Sequence, residues 1–176
     1  HVRRNGKITV FNRSHYEDII AVRVKKLLPE KVWERRYRHI IEFERMLAEE
    51  GTVIMKFFLH ISKEEQKKRL KARLEHPAKH WKFNPDDLKD RQRWDDFMHC
   101  YEELIERTST VHAPWYVIPA NRKWYRNLCM ARIVVDTLES LKMRYPKVDW
   151  DPASVVIDGD KADNKAVDSE VSTVSR

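Results

Sequence analysis

Glycine is scarce in this sequence: Gly6, Gly51 and Gly159 are the only three among 176 residues, and none stands in a Gly-x-x-x-x-Gly-Lys run. The chain therefore carries no glycine-rich backbone cradle for phosphate. Cysteine is equally sparse. Cys100 and Cys129 each fall inside a helical pattern and have no partner spacing. That excludes a disulfide framework or a zinc finger and fits a reducing, cytoplasmic setting. The eight histidines show no metal-ligand spacing. No apolar run approaches the ~20 residues of a membrane span, and no signal peptide is visible. The chain opens on His1 rather than Met, which reads as a fragment or a processed chain.

What the sequence does have is charge. Charged residues make up 36% and hydrophobic residues 41%, a globular, soluble composition with a net charge of +7. From Asp151 onward six acids face three bases, net −3, so the preceding part carries +10. A basic body favours polyanionic partners.

Periodicity supplies the elements. Ile8–Phe11 reads as a buried strand ending at Asn12-Arg13, followed by a helix from about Ser14 to Val22. Pro29 opens a longer helix that Gly51 closes near Glu50. Its Val32, Trp33, Tyr37, Ile40, Ile41, Phe43 and Leu47 fall mostly on one face. Val53–Ile61 reads as a second buried strand. Ser62 and Glu65 form a capping box for a strongly basic helix, which His76-Pro77 stops. After a loop at 79–83, Asn84-Pro85-Asp86-Asp87 starts a helix running to about Thr108. Trp115–Pro119 is a third strand. Asn121 caps a last helix to Met143, with Trp124, Leu128, Ile133, Val135, Leu138 and Leu141 as its core face. The polar, acidic stretch after Pro152 reads as disordered. Trp81, Trp94 and Trp115 read as core and hinge packing.

Strands alternating with helices predict an α/β fold with a mostly parallel sheet. Ligands bind such sheets at the carboxyl ends of the strands. Polar or cationic groups stand at each predicted end: Asn12-Arg13, the Ser62 cap with its basic helix, and Asn121-Arg122-Lys123.

Several short motifs occur together and in one order. They are Phe11-Asn12-Arg13-Ser14-His15-Tyr16-Glu17-Asp18, then Phe57 to Gln66, then Lys79-His80-Trp81-Lys82-Phe83 with Pro85. Arg93-Trp94-Asp95, Thr108-Ser109-Thr110 with Ala113-Pro114-Trp115, and Asn121 to Asn127 follow. The set resembles the polyphosphate kinase 2 family over about residues 1–146. The resemblance implies a P-loop kinase-like parallel sheet with flanking helices and a helical lid, here as a C-terminal partial domain. The lid would span about 62–108, and a flexible acidic tail 147–176. In the family's order the first two strands and the phosphate loop precede His1. This polypeptide alone is accordingly expected neither to fold stably nor to catalyse, and a cooperative thermal melt of it would count against that expectation.

The implied activity is phosphoryl transfer between inorganic polyphosphate and adenine or guanine nucleotides, with Mg²⁺, in a cytoplasmic homo-oligomer that uses neither nucleic acid nor membrane. Such transfer asks the protein for positioning and positive charge. Arg13 is the first candidate, since its planar fork holds a phosphate through two hydrogen bonds. Asn12 stands where many relatives of the family carry Asp, so it cannot be an anionic metal ligand, and the metal ligands are left unassigned. Asn12 together with Glu17 resembles the subgroup that accepts nucleoside monophosphates as well as diphosphates. Arg69 and Arg73 share a helix face and, with Lys79 and Lys82, resemble the lid's cationic arm. Tyr16, Glu17, Arg23, Arg91, Arg93, Lys123 and Arg126 complete the substrate-binding candidates. Lys67, Lys68 and Lys71 read as a solvated face. Three other readings stay open: an ATP-dependent nucleoside monophosphate kinase, a basic nucleic-acid-binding module, and a non-catalytic assembly partner.

Overall fold

The computed structural model describes residues 6–145, 147–151 and 154. The chain divides into two compact units, His1–Val135 and Asp136–Arg176. The first unit holds α1 (Glu17–Val24), α2 (Glu30–Glu49), β1 (Lys56–His60), α3 (Lys63–Glu75), a 3₁₀ turn (Pro77–Lys82), α4 (Asp86–Gln92), α5 (Trp94–Thr108) and β2 (Trp115–Pro119). A last helix, α6 (Lys123–Ser140), begins in the first unit and ends in the second. The described part of the second unit is that helix end, closed by backbone bonds from Leu141 to Leu138 and from Lys142 to Glu139, and a turn in which Ser154 bonds to Asp151.

Helix α2 shows how sequence becomes packing. Trp33, Tyr37, Ile40 and Glu44 recur at helical spacing and are its buried residues, so one stripe faces inward. The stripe meets Ile19, Ile20 and Val24 of α1, together with Tyr16 just before it, and Cys100 and Leu104 of α5. Gly51 ends the helix at φ +84, a left-handed conformation that glycine adopts without a Cβ clash. Cation–π contacts close the cluster's rim: Arg107 lies 3.7 Å from the Tyr37 ring centre and Arg23 4.8 Å from that of Trp33. Arg107 also pairs with Glu34 and, at 2.9 Å, with Glu103, while Arg23 reaches Glu103 at 2.6 Å. These ion pairs tie α1, α2 and α5 together.

Among the described residues the sheet has two parallel strands, with Lys56 opposite Trp115 and His60 opposite Pro119. Two expected strands differ from the structure. Ile8–Phe11 is not a strand: Ile8, Val10 and Phe11 are 72%, 86% and 67% exposed. An apolar run becomes a strand only beside a hydrogen-bonded neighbour, and none pairs with it among the described residues. The second strand is shorter than expected, with Val53 exposed.

Three helical expectations also change. The run to Thr108 breaks at Arg93 (φ −100, ψ 26), where Asp95 and Asp96 begin a second first turn. Loop 79–83 winds into the 3₁₀ turn, which carries Trp81 outward at 78% exposure rather than into a core. No residue of α6 is buried: of the face expected to be core, Trp124, Leu128 and Val135 are exposed and Ile133 and Leu138 half-buried. Periodicity marks a face as apolar; it does not supply what covers it. The predicted disordered tail lies largely outside the described residues.

Candidate functional site

Because β1 and β2 run in the same direction, both carboxyl ends open on one edge. The first residues past each strand are laced together there. Ala120 N–H donates to the His60 carbonyl at 2.7 Å. Ser62 N–H donates to Asn121 Oδ1 at 2.9 Å, while Ser62 Oγ accepts Glu65 N–H at 3.1 Å. The expected capping box is therefore half made: Asn121 satisfies the Ser62 amide, and the Glu65 carboxylate turns to Arg69 at 2.8 Å. Asn121, expected to cap α6, gives its side-chain oxygen to α3 instead.

Arg69 sits at this edge. Its guanidinium also donates to the carbonyls of Ala120 (2.7 Å) and Asn121 (3.3 Å). Arg73, one turn further, reaches Lys82 O and Asp87 at 3.4 Å, clasping the 3₁₀ turn against α3. Arg91 donates to Lys63 O and Gln66 Oε1 at 2.7 and 2.8 Å. Arg93 pairs with Asp96 at 3.2 Å. Lys79 and Lys82 are exposed on the turn, with the Lys82 ammonium 4.9 Å from the Trp81 ring centre. Lys123 is exposed and Arg126 half-buried at the start of α6, where two Arg126 side-chain bonds go to the adjacent Asn127.

Arg13 differs from these. Its side chain is 81% exposed and pairs with Glu17 at 3.5 Å, a solvent-screened contact of little energy. Asn12 is exposed beside it. Arg13 has φ +77, unusual for a residue with a Cβ. Tyr101 relates this turn to the strand edge. Burial raises its hydroxyl pKa, Glu17 raises it further and Arg13 lowers it. The Tyr101 ring packs 4.7 Å from Phe58, whose ring is 5.8 Å from that of His60 at the strand end.

Tyr16 and Arg23 stand apart from this edge. Arg23 is engaged with Glu103, Tyr37 and Trp33. Tyr16 is buried, and its hydroxyl donates to Glu44 Oε1 at 2.6 Å. Glu44 is itself buried and takes the Lys56 ammonium on Oε2 at 2.7 Å. That ammonium also donates to the Tyr16 hydroxyl (2.9 Å) and the Thr108 carbonyl (2.8 Å), which uses its three protons. Trp115 Nε1 bonds Thr108 Oγ1 at 2.8 Å, and His15 Nε2 lies 3.7 Å from Glu44. Burial alone would raise the Glu44 pKa, but His15, Lys56 and Tyr16 together hold it below the ordinary glutamate value of 4.5. Burial lowers the Lys56 pKa and Glu44 opposes that. Burial, reinforced by Glu44, raises the Tyr16 pKa far above the ordinary tyrosine range. Sequence reasoning missed this network. Its signals were a glutamate on the apolar stripe of α2 and a lysine within an otherwise apolar strand.

No group of three or more His, Cys, Asp or Glu among the described residues is arranged to hold a metal. No helix among them is long and apolar enough to cross a membrane.

Residues 1–146 match the family model of polyphosphate kinase 2. The chain is 57% identical over 157 residues to an AMP/ADP-polyphosphate phosphotransferase of Meiothermus ruber, covering 89% of this chain and 59% of that protein. It is 44% identical over 154 residues to an ADP-polyphosphate phosphotransferase of Rhodopseudomonas palustris, covering 81% and 53%. The crystal structure of polyphosphate kinase 2 from Arthrobacter aurescens superposes with a TM-score of 0.83 at 47% identity, covering 86% of this chain and 54% of that one. The chain thus spans between half and three-fifths of the length of these relatives.

Proposed function

The chain belongs to the polyphosphate kinase 2 family, and from that premise we propose that the protein of which it is a part transfers phosphoryl groups between inorganic polyphosphate and adenine or guanine nucleotides. The observation that carries the reading is Arg13: an exposed guanidinium on a left-handed turn, held by one screened carboxylate. Phosphate exchanges readily for such a partner, and bidentate contact then fixes the transferring group. Both relatives named above are polyphosphate phosphotransferases, one acting on AMP and ADP and one on ADP. Asn12 and Glu17 favour an acceptor range that includes monophosphates.

Within this reading the partial domain covers 1–146, has a P-loop kinase-like fold, and uses 62–108 as its lid; 147–176 is a tail. Arg69 and Arg73 now bond protein carbonyls and carboxylates. Lid closure would turn those donors toward phosphate oxygens and exclude water. Lys79, Lys82, Arg91, Arg93, Lys123 and Arg126 spread positive charge along the polyanion's path. Mg²⁺ fits this chain only as a substrate-borne ion, because such ions need few protein carboxylates and keep several waters. Glu17 and Asn12 are the groups beside Arg13 that would hold its water shell. When bound, Mg²⁺ neutralises charge on the bridging oxygens. Cytoplasmic placement and a homo-oligomer belong to the same proposal, with no part for nucleic acid or membrane.

The test uses the full natural chain with Mg²⁺, long-chain polyphosphate and AMP or ADP, following ATP. Replacing Arg13 by Ala is expected to cut kcat about 100-fold, the scale of losing one pre-organised donor. Transfer from ATP but not from polyphosphate would instead make the protein an ordinary nucleoside monophosphate kinase.

A further inference from the structure

Arg13 occupies a backbone conformation that a residue with a Cβ disfavours, at φ +77. Such a conformation persists where the surroundings over-determine it. Solvent surrounds the Arg13 side chain, so the constraint comes from the residues that follow. Glu17 N–H bonds to Ser14 O at 3.1 Å, which closes the turn onto α1. His15 and Tyr16 are then both anchored on one carboxylate. The Tyr16 hydroxyl is 2.6 Å from Glu44 Oε1, and His15 Nε2 is 3.7 Å from the same oxygen. The two rings stack at 4.7 Å, and His15 meets the edge of Phe43 at 6.2 Å. Glu44 cannot drift, because it is 2% exposed and Lys56 holds its other oxygen at 2.7 Å. Lys56 is fixed in turn by the strand and by the Thr108 carbonyl at the end of α5. A rigid chain of contacts therefore runs from β1, α2 and α5 to the turn that presents Arg13.

We propose that Glu44, through Tyr16 and His15, is the positioning element for Arg13: the buried carboxylate clamps the two residues after the Arg13 turn and so fixes where the guanidinium meets phosphate. The proposal rests on the phosphotransferase reading above. It gives Tyr16 a place in the reaction without contact to the nucleotide.

The test is a double-mutant cycle in the full natural chain, read as polyphosphate-to-nucleotide transfer. Tyr16→Phe keeps the ring and removes the hydroxyl that meets Glu44. It is expected to lower kcat about ten-fold while KM for the nucleotide stays within about two-fold. In an Arg13→Ala background the same change is expected to cost less than about two-fold, because the group being positioned is gone. A purely structural role would give equal losses in both backgrounds, and that result overturns the proposal. His15→Phe keeps the stack on Tyr16 and removes Nε2 at a half-exposed position. It supplies the same cycle if Tyr16→Phe does not fold, with the same two outcomes. Full activity of Arg13→Ala alone would overturn the phosphotransferase role of Arg13, and this proposal with it. A large Arg13→Ala loss with additive Tyr16→Phe would overturn only the positioning.

Discussion

Replacing Lys56 by Met probes the buried centre of this fold. The ammonium is 6% exposed and makes three hydrogen bonds, to Glu44, Tyr16 and Thr108, between 2.7 and 2.9 Å. Methionine fills similar volume, so the change removes charge and donors with little cavity. Glu44 would be left with the Tyr16 hydroxyl and His15, and the Thr108 carbonyl would lose its donor. Removing one partner of a buried pair costs about 3–5 kcal/mol, and the two contacts that Glu44 keeps place this case near about 3 kcal/mol. Replacing the ion pair and its shared hydroxyl, Lys56→Met with Glu44→Leu and Tyr16→Phe, removes those three polar groups together. Apolar replacement of a complete pair is often neutral or stabilising by about 1–4 kcal/mol, so the triple variant is expected to be more stable than the single one. Equilibrium urea unfolding of the full natural chain, followed by far-ultraviolet circular dichroism, measures both. A single-variant loss below about 1 kcal/mol would refute the burial of a paired ammonium. A triple variant as unstable as the single one would refute the argument that desolvation offsets attraction here.

Two further outcomes follow from the same contacts. The carboxylates of Glu44, Glu103 and Glu34 are all held below the ordinary 4.5: burial opposes this at Glu44 and Glu103, where hydrogen-bonding partners outweigh it, and Arg107 drives it at Glu34. Groups with depressed folded values contribute stability that is complete above their unfolded pKa and is lost as pH falls through the folded one. The urea midpoint is therefore expected to fall as pH drops below about 4.5, with Glu44→Gln removing part of that slope; a midpoint unchanged from about pH 6 to about pH 3 would contradict the pairing. Ser62→Ala removes the acceptor of Glu65 N–H and should cost about 1 kcal/mol, seen as faster hydrogen exchange at Glu65 while Leu70 exchanges as before.

Local rules settled much of this molecule before any tertiary structure. Pro29 and Gly51 bound α2, Ser62 and His76-Pro77 bound α3, and the β-branched and aromatic run at Trp115–Pro119 is a strand because each signal acts within a few residues. The motif order identified the family, and Arg13, expected at the tip of a strand, stands exposed on a turn after a run that is not one. Tertiary structure decided what those rules cannot reach. Ile8–Phe11 has strand chemistry, yet pairing needs a neighbour's backbone, which no residue encodes about itself. Trp124, Leu128 and Val135 of α6 and Trp81 are exposed because burial is a property of two surfaces. Glu44 and Lys56 are twelve residues apart, and each alone reads as a surface charge. Only the meeting of α2, β1 and α5 makes them a desolvated pair, since the energy that holds them in place depends on excluding water from both at once.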